Sequence, residues 1–297
     1  MGGRLLRKWL VLPLRNIPEI LERQNFAESL IQSSTILNQI TKLLSTVGDL
    51  ERLTSKVALK RVNPRELNQL SKSLDQVIAI KELLIQSEIP TLTKYGNGLL
   101  DCTELRNKLK NTLSDDAPLL INKGNVIREG IDSNLDELRK LAFSGKDFLL
   151  NLQKKESERT GISSLKIGFN NVFGYYLEVS NTHKNKVPQE WIRKQTLVNA
   201  ERYITEELKV YEEKILGAES KIFEIEENLF RELIEFVSVY VSQVQINAQK
   251  ISWIDCIQSF ATNAIKWNYC KPIIDDSLDI EIKDARHPVI EQQLPID

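Results

Sequence analysis

Six side chains within one short stretch could hold a polyanion: Lys184, Lys186, Arg193, Lys194, Gln195 and Asn199. Cations, amides and hydroxyls a few residues apart donate well to phosphate oxygens, and such contacts carry affinity without reading base sequence. Lys184 and Lys186 fall on a polar loop, Ser180 to Lys186, while Arg193, Lys194, Gln195 and Asn199 straddle the passage into a helix expected to resume near Asn199. From Ser163 to Tyr203 the basic residues Lys166, Lys184, Lys186, Arg193, Lys194 and Arg202 face only Glu178, Glu190 and Glu201. The chain as a whole has Lys+Arg 40 against Asp+Glu 41, so affinity for nucleic acid has to come from this local patch. The same cations would serve equally well to solvate an exposed tip.

Other chemistries lack their parts. Tyr175 and Tyr176 could stack on unpaired bases, but neighbours on a strand face opposite sides, and packing in a small sheet is expected for both. His183 and His287 have no second ligand at metal spacing. Cys102, Cys256 and Cys270 are odd in number and far apart, which predicts reduced thiols. No Ser-His-Asp or Cys-His arrangement is suggested, and the carboxylates are expected mostly on helix surfaces. No GxxxxGK[ST] phosphate loop occurs; Gly96-Asn97-Gly98 reads as a loop and Gly145-Lys146 as a helix-surface pair. Arg4, Arg7 and Lys8 precede only a short apolar stretch containing Pro13, unlike a signal peptide, and no run of about twenty apolar residues suggests a membrane span. Composition predicts a soluble, mostly helical, intracellular protein.

The basic patch needs a support. Leu165 to Phe169 and Tyr175 to Val179 alternate or are aromatic, and Asn170-Asn171-Val172-Phe173-Gly174 between them favours a turn, so a hairpin is expected. On either side, apolar residues repeat in heptads. Ile131, Leu135, Leu138, Ala142, Gly145, Leu149 and Leu152 lead in, followed by polar seam positions Glu156 and Arg159. Leu208, Tyr211, Ile215, Ala218, Ile222, Ile225 and Leu229 lead out, and Leu233, Phe236 and Tyr240 continue after one stutter. A turnaround at the insert brings the two seams together antiparallel, in arms of roughly 40 Å.

The flanking regions read as a helical bundle. Ile17, Ile20 and Leu21, then Ile36, Leu37, Ile40, Leu43 and Leu44, describe single apolar faces. Asn63-Pro64-Arg65-Glu66 is a helix start with a capping box, and Leu67, Leu70, Leu74, Val77 and Ile78 line the helix it opens. Leu119-Leu120-Ile121 with Val126-Ile127 predicts a small hairpin or extended link. Ile251 to Ile282 is expected as helix to about Asn268, then extended, its apolar residues ordinary core.

At the insert the residues resemble a known family. Leu165 to Ser180 and Arg193 to Leu208 closely resemble the clamp region of the MutS family of DNA mismatch-repair proteins. Gly3 to Leu10 with Leu21 to Gln24, Asp49 to Arg52, and Asn125 to Gly130 with Leu135 to Arg139 resemble that family's core and lever, and Ala285 to Ile290 the lead-in to its ATPase. The resemblance implies a mostly α fold: a helical core bundle, a long antiparallel coiled-coil lever and a small antiparallel β-containing clamp at its tip. The implied divisions are 1–124 helical core, 125–162 outgoing lever helix, 163–203 clamp, 204–250 return helix, 251–284 return to core and 285–297 the start of the ATPase domain. In the family this region meets the DNA backbone, and Arg193, Lys194, Gln195 and Asn199 are the matching residues; Val198 stands where some relatives have a basic residue. The chain is accordingly expected to be an excised fragment that is not itself an enzyme and holds no cofactor. ATP and Mg, the DNA-dependent ATPase, the mismatch-reading domain and the connector belong to the full-length protein. Double-stranded DNA, a homodimeric full-length protein and a MutL-type partner are the implied partners, with a cytoplasmic, nucleoid-associated location and no membrane. Two alternatives remain open from sequence: a helical coiled-coil scaffold or interaction module, and a recombination-type paralogue.

Overall fold

Helix caps divide the chain much as its Pro, Gly and Asn residues suggest. The computed structural model describes residues 1–293 apart from 171 and 173, without the side chains of 143–147 and 215–216. The elements are α1 (Gly2–Val11), α2 (Ile17–Gln32), α3 (Ser34–Thr46), α4 (Leu50–Ala58), α5 (Pro64–Gln86), α6 (Pro90–Asn97), α7 (Thr103–Thr112), α8 (Ser133–Thr160), β1 (Lys166–Asn170), β2 (Gly174–Ser180), β3 (Ile192–Thr196), β4 (Ala200–Ile204), α9 (Glu206–Val239) and α10 (Val241–Trp267). Short 3-10 turns occupy Ile121–Lys123 and Asn181–Lys186. No helix among the described residues is long and apolar enough to cross a membrane. The chain forms two compact units, one of Met1–Ser45, Ile80–Gly98 and Lys250–Asp297, the other of Thr46–Ala79 and Leu99–Gln249.

In the first unit an aromatic stack organises the core. Tyr95 lies 4.2 Å from Trp253, centroid to centroid, and Phe26 meets Trp253 edge-on at 4.9 Å. Such rings bury large areas with fixed geometry, so the face of α2 carrying Phe26 and Leu30 turns inward while Leu21, expected inside, is exposed. Gly96-Asn97-Gly98 closes α6. α10 ends at Trp267, close to the expected Asn268, but beyond it Ile273, Leu278, Ile280 and Ile282 are exposed, so the expectation of ordinary core fails there.

The second unit carries the basic patch. The capping box at the start of α5 is complete: Glu66 N donates to Asn63 Oδ1 at 3.0 Å, and Asn63 N donates to Glu66 Oε2 at 3.2 Å. Leu67, Leu70, Leu74 and Val77 are buried behind it, with Ile78 half-buried. The expected pairing of 119–121 with 126–127 does not occur. Instead Leu113 bridges Ile127, and Leu119 and Leu120 are exposed, because Arg128 N and Ser114 N find their acceptors on Thr112 and Val126.

α8 and α9 run antiparallel, as Phe148 stacked on Tyr211 at 4.1 Å and the Lys155–Glu207 ion pair at 3.4 Å require. α8 begins later than the heptads suggested: Asp132 caps it through Leu135 N at 2.8 Å, which leaves Ile131 outside and exposed. Gly161, at φ 68°, ends it in the left-handed conformation that glycine adopts without steric cost. Along the seam Leu135, Leu152, Leu208 and Ala218 are buried, while Leu138, Leu149, Tyr211, Ile222 and Ile225 are half-buried. A helix with one neighbour covers only a strip of its surface. The surroundings of Gly145 and the side chains of Lys146 and Ile215 lie outside what the structure describes.

One expectation needs correction here. The return helix is not continuous to residue 250: Tyr240 caps α9, its N donating to Val237 O at 3.0 Å, and α10 begins at Val241. Among the described carboxylates, four stand apart from the exposed majority: Glu66, Glu156, Glu201 and Glu226 are buried. Glu226 is completely enclosed. Its Oε1 accepts from Val126 N at 3.0 Å and from the Arg139 guanidinium, which also donates to Ile127 O at 2.8 Å. One carboxylate of α9 thus ties down both the 126–127 segment and the start of α8.

Glu226→Ala should lower stability by about 3 kcal/mol, because it leaves a half-buried guanidinium and a buried backbone amide without their acceptor; Glu226→Gln should cost less, and a urea-midpoint change equivalent to under about 1 kcal/mol for the alanine variant would contradict this role. A second measurement concerns Asp75. Burial alone would raise its carboxyl, but hydrogen bonds from Lys110 and Arg106 hold it below the usual carboxylate range. A lowered folded-state pKa stabilises above the unfolded value, and that stabilisation is lost as pH falls through the folded value. Urea midpoints of the wild type should therefore fall more steeply on acidification from pH 6 than those of Asp75→Asn; parallel curves would contradict the assignment.

Candidate nucleic-acid interface

The expected hairpin is β1 and β2, and the stretch after it forms a second one. β1, β2, β4 and β3 lie in that order in an antiparallel sheet, with Lys166 opposite Glu178, Glu178 opposite Arg202 and Arg193 opposite Tyr203. Helix does not resume near Asn199: Ala200 to Ile204 pairs as a strand, and α9 starts at Glu206 with Thr205 as its cap. The β-branched and aromatic content of this segment suits a pleated surface better than a helix start. Asn171 and Phe173 of the first turn lie outside the described residues.

Strand alternation gives the sheet two unlike faces. The inner face places Leu177, Val179 and Tyr203 against Leu152, Ile162, Leu165, Trp191 and Leu208, so the sheet is rooted on the ends of α8 and α9. Tyr175 packs at the edge of this cluster, as expected. Tyr176 does not share it. On the opposite face its ring lies across Gly168, where a Cβ would meet the hydroxyl at 2.6 Å, and the Arg202 guanidinium covers it at 4.3 Å from the ring centroid. Neither tyrosine is an open stacking platform.

The six candidate residues are distributed over three places. Lys184 and Lys186 lie on the 3-10 turn, where Lys184 Nζ reaches Glu201 Oε1 at 2.6 Å and Lys186 Nζ donates to Gly161 O at 3.0 Å. Arg193, Lys194 and Gln195 lie on β3, an edge strand, and a bulge between Arg193 and Gln195 sends them different ways. Arg193 reaches Glu201 Oε1 at 3.4 Å, Gln195 Oε1 accepts from Arg202 at 2.9 Å, and Lys194 lines a hollow with Ile192, Ile204 and Glu206. Asn199 is exposed in the β3–β4 turn, its carbonyl accepting from Asn181 N at 3.1 Å. Lys184, Lys186, Arg193, Lys194 and Asn199 are all exposed. The structure brings together Lys184 and Arg193, and joins the 3-10 turn to the second hairpin through Asn181; it does not put Arg193 and Gln195 on one face.

Sequence reading missed Glu201 as a member of this site. The strand pattern held the signal, since residues 201 and 203 of a strand share a face. The Tyr203 hydroxyl donates to Glu201 Oε2, and the Lys184 hydrogen bond, with this one, holds the carboxyl below its usual range. Burial, and then the bond to Glu201, pushes the Tyr203 phenol up to about 12. Both groups therefore keep one protonation state through the neutral range. An exposed chain of hydroxyls, Ser164 to Ser180 at 3.2 Å and Ser180 to Thr182 at 2.8 Å, also borders the turn.

The stretch contains no GxxxxGK[ST] loop, and no group of three or more His, Cys, Asp or Glu among the described residues is placed to hold an ion.

Comparison with known proteins accords with this arrangement. The family profile MutS domain III matches residues 1–261. The chain is 53% identical over 296 residues to the DNA mismatch repair protein MutS of Flavobacterium johnsoniae, covering 100% of this chain and 34% of that relative. The corresponding proteins of Bacteroides fragilis and Christiangramia forsetii are 52% and 54% identical, over 100% and 99% of this chain and again 34% of each relative. The chain thus spans about a third of the length of these relatives. A match of this extent, over a helical unit with a small antiparallel sheet set between two long helices, assigns the chain to the MutS family, of which it carries domain III.

Proposed function

We propose that this chain is the core, lever and clamp portion of a DNA mismatch-repair protein, and that its tip grips the backbone of duplex DNA without reading sequence. The observation that carries this is a set of exposed donors, Lys184 and Lys186 on the 3-10 turn, Arg193 and Lys194 on β3 and Asn199 in the β3–β4 turn, borne by a sheet whose β2 and β4 close over one apolar cluster. Phosphate contacts need donors on a support that does not yield, and this support is fixed by Trp191, Tyr203 and Leu208.

The paired helices α8 and α9 supply the second half of the proposal. They lead from the sheet back to the Glu226 junction, so a displacement of the tip is passed to the 126–127 segment through packed side chains and one buried carboxylate. In the complete protein this route would connect DNA to an ATPase lying outside this stretch, with ATP and Mg held there. A homodimer closing two clamps on DNA, a MutL-type partner and a cytoplasmic, nucleoid-associated location belong to the same reading, which favours repair over the recombination type because the clamp is present. Without a phosphate loop, the stretch by itself is assigned no ATP hydrolysis.

In a titration with duplex DNA, the chain should bind weakly, equally to matched and mismatched duplexes, with log K falling against log salt at a slope of roughly −0.9 for each phosphate neutralised. Replacing Lys184, Lys186, Arg193 and Lys194 together by alanine should abolish that binding at low salt. Equal binding by the quadruple variant would defeat the clamp reading in favour of a helical interaction module, and tight mismatch-selective binding would show a reader within this stretch.

A further inference from the structure

We propose that Glu201 is a positioning residue for the grip on DNA: its buried carboxylate gathers Lys184 and Arg193, from two separate elements, into one seat for a single phosphate. The proposal rests on the DNA-gripping reading above and concerns a residue that cannot itself meet DNA, since the Glu201 side chain is only 2% exposed.

Both cations converge on the same oxygen. Lys184 Nζ lies 2.6 Å and Arg193 3.4 Å from Glu201 Oε1. An ammonium has three donors and a guanidinium five, so each cation has donors left after this contact. Their side chains are 52% and 57% exposed, so those donors remain open to a ligand from solvent. Two cations on one anion leave one net positive charge, concentrated over a spacing that one phosphate group can bridge. The other carboxylate oxygen is held by the Tyr203 hydroxyl, and the Tyr203 ring belongs to the apolar cluster beneath the sheet. The anchor is therefore fixed from below.

The 3-10 turn that carries Lys184 needs such an anchor. None of its residues is buried. It is held at its start by Asn181, which bonds Asn199 O and Val198 O, and at its end by Lys186 on Gly161 O. Between these two, Lys184 reaches inward to the buried Glu201. Without it, the ordering entropy of a long, mobile lysine would fall on DNA binding itself.

The simpler view is that Glu201 merely neutralises the patch, and the two views predict opposite signs. Removing a competing negative charge should strengthen DNA binding and steepen its salt dependence. Removing a positioning group should weaken it although the tip becomes more positive. For Glu201→Gln, which keeps the shape and one acceptor, duplex binding at low salt should weaken about tenfold. Unchanged or tighter binding overturns the proposal.

A second measurement does not depend on how that variant folds. If Lys184 and Arg193 serve one phosphate, Lys184→Ala, Arg193→Ala and the double variant should each lower the magnitude of the salt slope by the same amount, about 0.9, whereas Lys194→Ala should lower it further in any of these backgrounds. A double variant that loses about twice as much as either single one shows two separate phosphate contacts and also overturns the proposal. Failure of the wild-type chain to bind duplex at all would remove the gripping reading and this proposal together; binding by the wild type with an indifferent Glu201→Gln removes only the proposal.

Discussion

The antiparallel pairing of α8 with α9 is the constraint on which the tip depends. Each helix has an apolar stripe too narrow for a core and too long to leave in water, and each finds its neighbour in the other. Pairing brings Thr160 and Glu206 to one end, and the chain between them folds into a sheet whose inner face closes over that end. The seam is only partly buried, so polar contacts do much of the alignment. Phe148 on Tyr211, Lys155 with Glu207 and Arg139 with Glu226 set the register at three heights.

Buried carboxylates recur at the places where separate pieces of chain must be held in one arrangement. Glu66 links the start of α5 to Lys56 and Arg52 of α4, Glu156 takes Arg159, which reaches on to Glu190, Glu201 takes Lys184 and Arg193, and Glu226 takes Arg139 and the 126–127 amides. An enclosed anion is costly unless it is satisfied, so such a group tolerates few alternative packings. That makes these residues fasteners more than sources of net stability. Two of them bracket the helical pair, Glu226 at its base and Glu201 within the sheet at its tip.

Family membership and geometry speak to different questions. The match to MutS domain III fixes the kind of protein to which this stretch belongs, and the relatives are about three times longer. The geometry speaks to the local question of which cations are already engaged. Lys184, Arg193 and Arg202 have acidic partners within the sheet, on Glu201 and Glu178. A count of charges along the sequence overstates what the patch can offer a phosphate.

Much of the architecture was legible in the residues alone. The heptads on both sides of the insert, the Asn63 capping box, the first hairpin and the end of α10 all rest on local periodicity or cap chemistry, which neighbouring residues determine among themselves. The expectations that failed share a different cause. Ala200 to Ile204 is a strand because β2 and β3 flank it, Ile127 bridges Leu113 and not the nearer 119–121, and α2 turns Phe26 inward because Trp253 waits there. The candidate cations were likewise visible as residues, but their engagement by Glu201 was not, since it depends on strand register and on a turn folded back over β4. Sequence by itself determined the helices, their seam and the basic character of the tip; tertiary structure decided which face each strand residue takes and which charges are already paired, because pairing is set by distances between segments that periodicity does not contain.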